Sequence, residues 1–285
     1  MSLFSRKSAV TSPIGAAFAA AAKQKRAAYV PYITAGDPSL EVTPLLLEQL
    51  EDAGADVIEL GVPFSDPMAD GPVNQRAAYR ALEAGTTLNG ILEMISAHRS
   101  RSEEKGRPRV PIVLFTYFNP IFARGIEGFA DQASAAGVDG VLCVDAPPDE
   151  TQEDLVPALR AVGIDPIFLL APTSPVERIK QVAKSSSGFV YYVSRTGITG
   201  EKAELAPTLL ADVKKLRRRV GLPVAVGFGI STPEQVEAVG AVADGVVVGS
   251  ALVRVVEETA ADGGSAQRIA ERLGARARLL STTSA

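Results

Sequence analysis

Strand-like and helix-like segments alternate eight times along this 285-residue chain, which predicts an α/β protein whose parallel sheet closes into a barrel. Three observations support that prediction. Eight short runs rich in β-branched and aromatic residues are each closed by Gly, Pro or Asp. Segments of helical period separate them. Those segments end at glycine, at Gly54, Gly137, Gly163, Gly221 and Gly240, as helix C-terminal chemistry favours. Eight parallel strands, each near-continuously apolar and covered by a helix, are the number that closes as a (β/α)8 TIM barrel. An open doubly wound sheet is the competing arrangement, weakened because no GxGxxG follows the first strand.

Ahead of the barrel, IGAAFAAAA faintly resembles a secretory signal, but KQKR stands where small residues would mark cleavage. A short amphipathic helix preceding the fold is expected instead. The strands are then AYVPYIT, DVIELGV, PIVLFTYF, GVLCVDA, DPIFLLA, FVYYVSR, PVAVGFG and DGVVVGS. Helical segments between them include residues 40–54, 126–137, 154–163, 205–221 and 233–240. One domain spanning 1–285 is expected, with the order of residues 1–12 left open.

Composition narrows the ligands. A formal net charge of -4 gives no electrostatic footing for nucleic acid, and no run approaches the ~20 apolar residues of a membrane span. A cytoplasmic protein acting on small molecules is expected. Cys143, the single cysteine, lies in GVLCV and reads as a buried packing thiol in a reducing compartment. His98, the single histidine, sits in the polar stretch AHRSRSEEK and reads as a solvated side chain. With one histidine and one cysteine, a catalytic transition-metal site lacks its usual ligands, although three neighbouring acids suit a divalent ion. No metal is expected.

The acids stand in DVIELGVPFSDPMADG, residues 56–71. Alternation along the strand puts Val57, Glu59 and Gly61 on one face and Ile58 and Leu60 on the other, so Glu59 points into the barrel if Leu60 packs under the helices. A buried carboxyl without partners has a raised pKa, suited to proton transfer near neutrality; a structural glutamate satisfied by its neighbours is the alternative. Asp66 and Asp70 follow in a loop where SDP and ADGP are also ordinary turn chemistry. None of the eight runs contains a lysine for a Schiff base, and a lone histidine makes no credible Ser-His-Asp arrangement. Carboxylate acid/base chemistry remains.

Strands six to eight end in SRTGITG, GFGIST and VVVGSA. Such barrels often bind phosphate there, and no Lys or Arg lies between Gly229 and Ser250, so main-chain amides and Ser250 would hold the anion. The glycines of the loop around Arg195, Gly197, Gly200 and Lys202 suit a lid that excludes water, or an ordinary surface loop. The cations of KKLRRR, residues 214–219, sit at a helix C-terminus, where the dipole favours them.

Taken together and in this order, ELGVPFSDPMADGP, PYITAGDP, YYVSRTGITG, GFGIS and VVVGSA resemble the tryptophan synthase alpha chain family over essentially the whole barrel. The resemblance implies cleavage of indole-3-glycerol phosphate to indole and glyceraldehyde 3-phosphate, a lyase step with no cofactor in this chain. It implies Glu59 as general acid/base, Asp70 as the carboxylate holding the indole N–H, and Tyr191 beside the glutamate. Phosphate contacts would come from Gly200, Gly229, Gly249 and Ser250. Tyr32, Phe115, Leu142, Leu169, Phe228 and Val247 would form the indole pocket or its rim, with Thr199 in the closing loop. Tyr32 stands where some relatives have phenylalanine, and Phe115 where some have leucine or methionine. A pyridoxal-phosphate beta subunit is the implied partner, in an α2β2 assembly contacted through loop 63–72, where Asp66 would serve assembly or loop positioning. Two rival readings stand beside this: a sugar-phosphate isomerase or epimerase using the same acids, and a non-catalytic activating subunit. Intact Glu59 and Asp70 argue against the latter.

Overall fold

The computed structural model describes residues 12–151, 153–193, 209–227 and 229–282. Its strands are β1 (Ala28–Thr34), β2 (Ile58–Gly61), β3 (Ile112–Thr116), β4 (Gly140–Cys143), β5 (Asp165–Ile167), β6 (Leu169–Leu170), β7 (Val190–Val193), β8 (Val224–Gly227) and β9 (Gly245–Val248). They form one sheet in the order β5-β4-β3-β2-β1-β9-β8-β7-β6, with parallel pairing throughout. The two ends of that order are consecutive in the chain, so the sheet closes on itself as a barrel.

The fifth expected strand is divided into β5 and β6 at Phe168. Pro166 accepts from the Ser187 N–H at 2.9 Å but has no N–H to return on that side, so pairing toward β7 is thin until the Phe168 carbonyl takes the Tyr191 N–H at 3.1 Å.

Alternation sorts the side chains into two cores. Ile58, Leu60, Ile112 and Leu114 face outward against the helices, whereas Val30, Val57, Val113, Leu142, Ile167, Ala225 and Val247 fill the barrel. The expected N-terminal helix spans Pro13–Lys23, capped by Ser12 with proline in the first turn. Its Ile14 and Phe18 plug the lower end of the barrel, and Phe18 stacks on Phe189 with centroids 5.2 Å apart. A Cβ at Gly140 would lie 2.7 Å from Ile14, and one at Gly245 2.8 Å from Phe18, so those strands must begin with glycine to admit the plug.

Aspartates at the lower end pin the register. Asp56 accepts the Tyr29 N–H at 2.7 Å, Asp139 the Ile112 N–H at 2.9 Å, and Asp244 the Val224 N–H at 3.0 Å. Each is also paired to arginine: Arg26, Arg99 with Arg109, and Arg217. A charge-assisted bond to the first or second amide of a neighbouring strand fixes where pairing starts.

One expectation is corrected. His98 is buried, not solvated: it is 1% exposed, with Nε2 2.7 Å from Glu51 Oε1, while Arg107 Nε donates to Glu51 Oε2 at 3.2 Å. On helix Leu88–Glu104 it follows Ile91 and Ile95 at helical spacing, which places it on the inward stripe despite its charged neighbours. Gly54, Gly137, Gly163 and Gly221 have positive φ after their helices, and Gly240 is the last residue of helix Pro233–Gly240, the span expected. Cys143 is buried, as expected. Among the described residues, no helix is long and apolar enough to cross a membrane.

Candidate active site

At the upper, carboxyl end of the strands a cavity of about 360 Å³ opens over the barrel core. Glu59 stands on its wall, pointing inward as alternation requires. It is 1% exposed, and among the described residues its Oε1 has no hydrogen-bond partner. Burial pushes its carboxyl up to about 8. At neutral pH it therefore carries a proton.

Asp70 reaches the same cavity from the loop after β2. Tight turns lead to it: the Met68 N–H donates to the Asp66 carbonyl at 2.9 Å and the Asp70 N–H to the Pro67 carbonyl at 3.1 Å. Helix Pro72–Glu83 then starts, with proline suited to its first turn. Gln75 Nε2 locks the turn from that helix by donating to the Asp70 carbonyl at 2.9 Å. Tyr117 Oη donates to Oδ2 at 2.7 Å while accepting the Ala69 N–H at 3.1 Å. Burial raises the Asp70 pKa, and the Tyr117 hydroxyl, then the neighbouring Asn74 amide, restrain the rise. Two carboxyls in one cavity thus have different environments: Glu59 is fully buried with no partner for Oε1 among the described residues, and Asp70 is held by Tyr117. Such a difference divides proton donor from anion.

Tyr191 projects inward from β7, its hydroxyl lying where a side chain on Gly227 would stand: a Cβ there would be 2.1 Å away. Burial, then the proximity of Glu59, raises its ionisation well above the ordinary tyrosine range, so it stays a donor. Gly229, with φ of 79°, and Gly249 with Ser250, which begin helix Ser250–Ala261, line the same cavity. No acidic residue occupies that helix's first turn, as suits an anion at the positive end of the dipole.

Tyr32, Phe115, Leu169 and Val247 also line the cavity. Leu142 does not line the cavity. It is fully buried in the barrel interior, and Val144, two residues further along the same face, takes the wall position. Thr199, Gly200 and Phe228 lie outside the described residues, as does the expected lid around Arg195 to Lys202. Asp66 is exposed in the loop, away from the wall. Sequence reasoning overlooked Tyr117 and Asn74. The available signals were a tyrosine just past the end of β3 and an asparagine four residues after Asp70, in the first helical turn. Among the described residues no group of three or more His, Cys, Asp or Glu side chains is placed to hold a metal ion.

Fold and site together define a (β/α)8 barrel equipped for carboxylate acid/base chemistry on a ligand spanning an apolar slot and an anion cradle. The profile of the tryptophan synthase alpha chain family matches residues 18–280, and the chain belongs to that family. The tryptophan synthase alpha chain of Geotalea uraniireducens is 54% identical over 263 residues, covering 92% of this chain and 94% of that one. That of Opitutus terrae is 47% identical, covering 93% and 96%. Among solved structures, the tryptophan synthase subunit alpha of Legionella pneumophila superposes with a TM-score of 0.84 at 36% identity, covering 95% and 98%. A chain from the tryptophan synthase α2β2 complex of the hyperthermophile Pyrococcus furiosus gives 0.80 at 39% identity, covering 89% and 97%.

Proposed function

We propose that this chain catalyses the alpha reaction of tryptophan synthase, cleaving indole-3-glycerol phosphate to indole and glyceraldehyde 3-phosphate. The observation that carries the reading is the buried Glu59 carboxyl, protonated at neutral pH, facing the same cavity as Asp70, which Tyr117 holds, and the Gly249–Ser250 helix start. Family membership supports it.

The cleavage is a retro-aldol step. Indole C3 gains a proton, the hydroxyl on the adjoining side-chain carbon loses one, and the bond between C3 and that carbon breaks to leave an aldehyde. No proton is gained or lost overall. Glu59 starts in the acid form, gives its proton to C3 and is restored by the proton from the hydroxyl. While C3 is protonated the ring nitrogen carries positive charge, and Asp70, accepting the N–H, stabilises it in a dry site where a fixed anion acts strongly. Tyr117 and Asn74 keep Asp70 oriented and its pKa from rising further. Apolar Phe115, Leu169 and Val247 hold the ring plane. Ser250 and the amides at the helix start bind the phosphate, with Gly229 and, from the family pattern, Gly200.

The partner is a tryptophan synthase beta subunit in an α2β2 assembly, the arrangement carried by the Pyrococcus furiosus relative's description. Met68, 83% exposed in the loop that presents Asp70, and Phe122, 66% exposed after β3, supply apolar surface at the cavity end of the barrel. This chain needs no cofactor of its own in the scheme, and pyridoxal phosphate belongs to the beta subunit. The cytoplasm is the compartment that suits the free thiol and this chemistry.

The test is indole release from indole-3-glycerol phosphate by the full chain with its beta subunit. Glu59→Gln and Asp70→Asn should each lower turnover by at least ~100-fold, the scale of lost acid/base catalysis, with the far-ultraviolet spectrum unchanged. Folded variants that turn over like the parent would refute the assignment.

A further inference from the structure

Tyr32 holds a position that its role as a pocket wall does not explain. It faces inward from β1, directly across the ladder from Glu59. Its hydroxyl fills a notch in β2: a Cβ on Gly61 would lie 2.3 Å from the oxygen. At the other end of the residue, a Cβ on Gly249 would lie 3.5 Å from the Tyr32 Cβ. Tyr32 therefore runs from the helix start at Gly249 and Ser250 to the strand carrying Glu59, and Phe115 holds its ring edge-on at 5.4 Å and 77°.

The hydroxyl is poorly used by the protein. Among the described residues its one hydrogen-bond contact is Thr34 Oγ1 at 3.4 Å, long for two hydroxyls. Burial, then the nearby Asp70, keeps it protonated well beyond the ordinary range, so it remains a donor at every working pH. A buried donor with a weak partner is a site at which an acceptor on a ligand gains more than on a satisfied surface.

The proposed substrate supplies such an acceptor. With its ring at Asp70 and its phosphate at Ser250, the connecting three-carbon chain must cross the span that Tyr32 covers. We infer that the Tyr32 hydroxyl is a specificity-determining contact, donating to a hydroxyl of that chain and distinguishing a hydroxylated linker from a plain alkyl one. The inference rests on the reaction proposed above.

Tyr32→Phe keeps the ring, its Phe115 contact and the wall while removing the donor. In the full chain with its beta subunit, kcat/KM for indole-3-glycerol phosphate should fall roughly tenfold, mostly through KM, the scale of one buried hydrogen bond. The inhibition constant of indole-3-propyl phosphate, whose chain bears no hydroxyl, should change by less than about twofold on the same scale. Tyr32→Leu, which also removes the ring, should weaken both ligands. An equal loss for both ligands in Tyr32→Phe would reduce the residue to packing and overturn the inference, as would no loss for either. A fall in kcat alone, with the pH limb of Glu59 displaced, would place the hydroxyl on the acid and also overturn it. If the parent releases no indole, the reaction reading has failed; if it does and Tyr32→Phe discriminates nothing, only this inference has.

Discussion

Glu59→Gln should make the protein more stable, and increasingly so as pH rises. The folded carboxyl titrates at about 8 against an ordinary value of 4.5, and burial is the cause. Below pH 4.5 it is protonated in both folded and unfolded chains and contributes nothing. Between the two values the folded protein keeps a proton that the unfolded chain releases, so stability falls with rising pH, and above 8 the loss is complete. The interval corresponds to about 5 kcal/mol at 1.36 kcal/mol per decade, of which about 4 kcal/mol falls between pH 5 and pH 9. Water reaching the ionised carboxylate through the open cavity would lower this to about 3 kcal/mol. Gln preserves the shape and cannot ionise, so the difference between the two proteins isolates this one group. Urea unfolding of parent and variant at half-unit steps from pH 5 to pH 9 measures it. A difference that stays flat across the range would show that Glu59 ionises normally in the folded chain, and the argument that it begins the reaction as an acid would fall with it.

Two further outcomes follow from the neighbours of the acids. Tyr117→Phe removes the 2.7 Å bond that restrains the Asp70 pKa, so the acidic limb of kcat/KM should move to higher pH, with a loss of roughly 5- to 30-fold near neutrality; an unmoved limb in a pH-rate profile would count against the grip. Gly227→Ala would put a methyl 2.1 Å from the Tyr191 hydroxyl and 3.0 Å from Val247 Cβ, so unfolding should become easier by about 1–3 kcal/mol and indole release slower. Adding Tyr191→Phe should recover part of that stability, and denaturant midpoints of the single and double variants check it.

Much of the barrel was legible in the chain because its signals are local. Apolar runs at strand length, helices closed by Gly54, Gly137, Gly163 and Gly221, and proline at the start of Pro13–Lys23 each report on residues within one turn or one strand. Alternation alone placed Glu59 inward, since period two leaves a strand residue only two faces. Where several elements had to be weighed together, the reading failed. The charged residues around His98 masked a helical stripe whose burial depends on Glu51 from another helix. Leu142 has the right face of β4 but the wrong height, because depth along the barrel is set by strand stagger.

By itself, then, the sequence determined the type of each element, the direction Glu59 faces and the run of motifs that places the chain in its family. Only the tertiary structure decided that Tyr117, forty-seven positions from Asp70, would grip that carboxyl, and that Gly61 and Gly227 would leave notches for two tyrosine hydroxyls. The reason is physical: backbone period and turn chemistry act over a few residues, whereas the desolvation and hydrogen bonding that set a carboxyl's pKa depend on groups that meet only when the sheet closes.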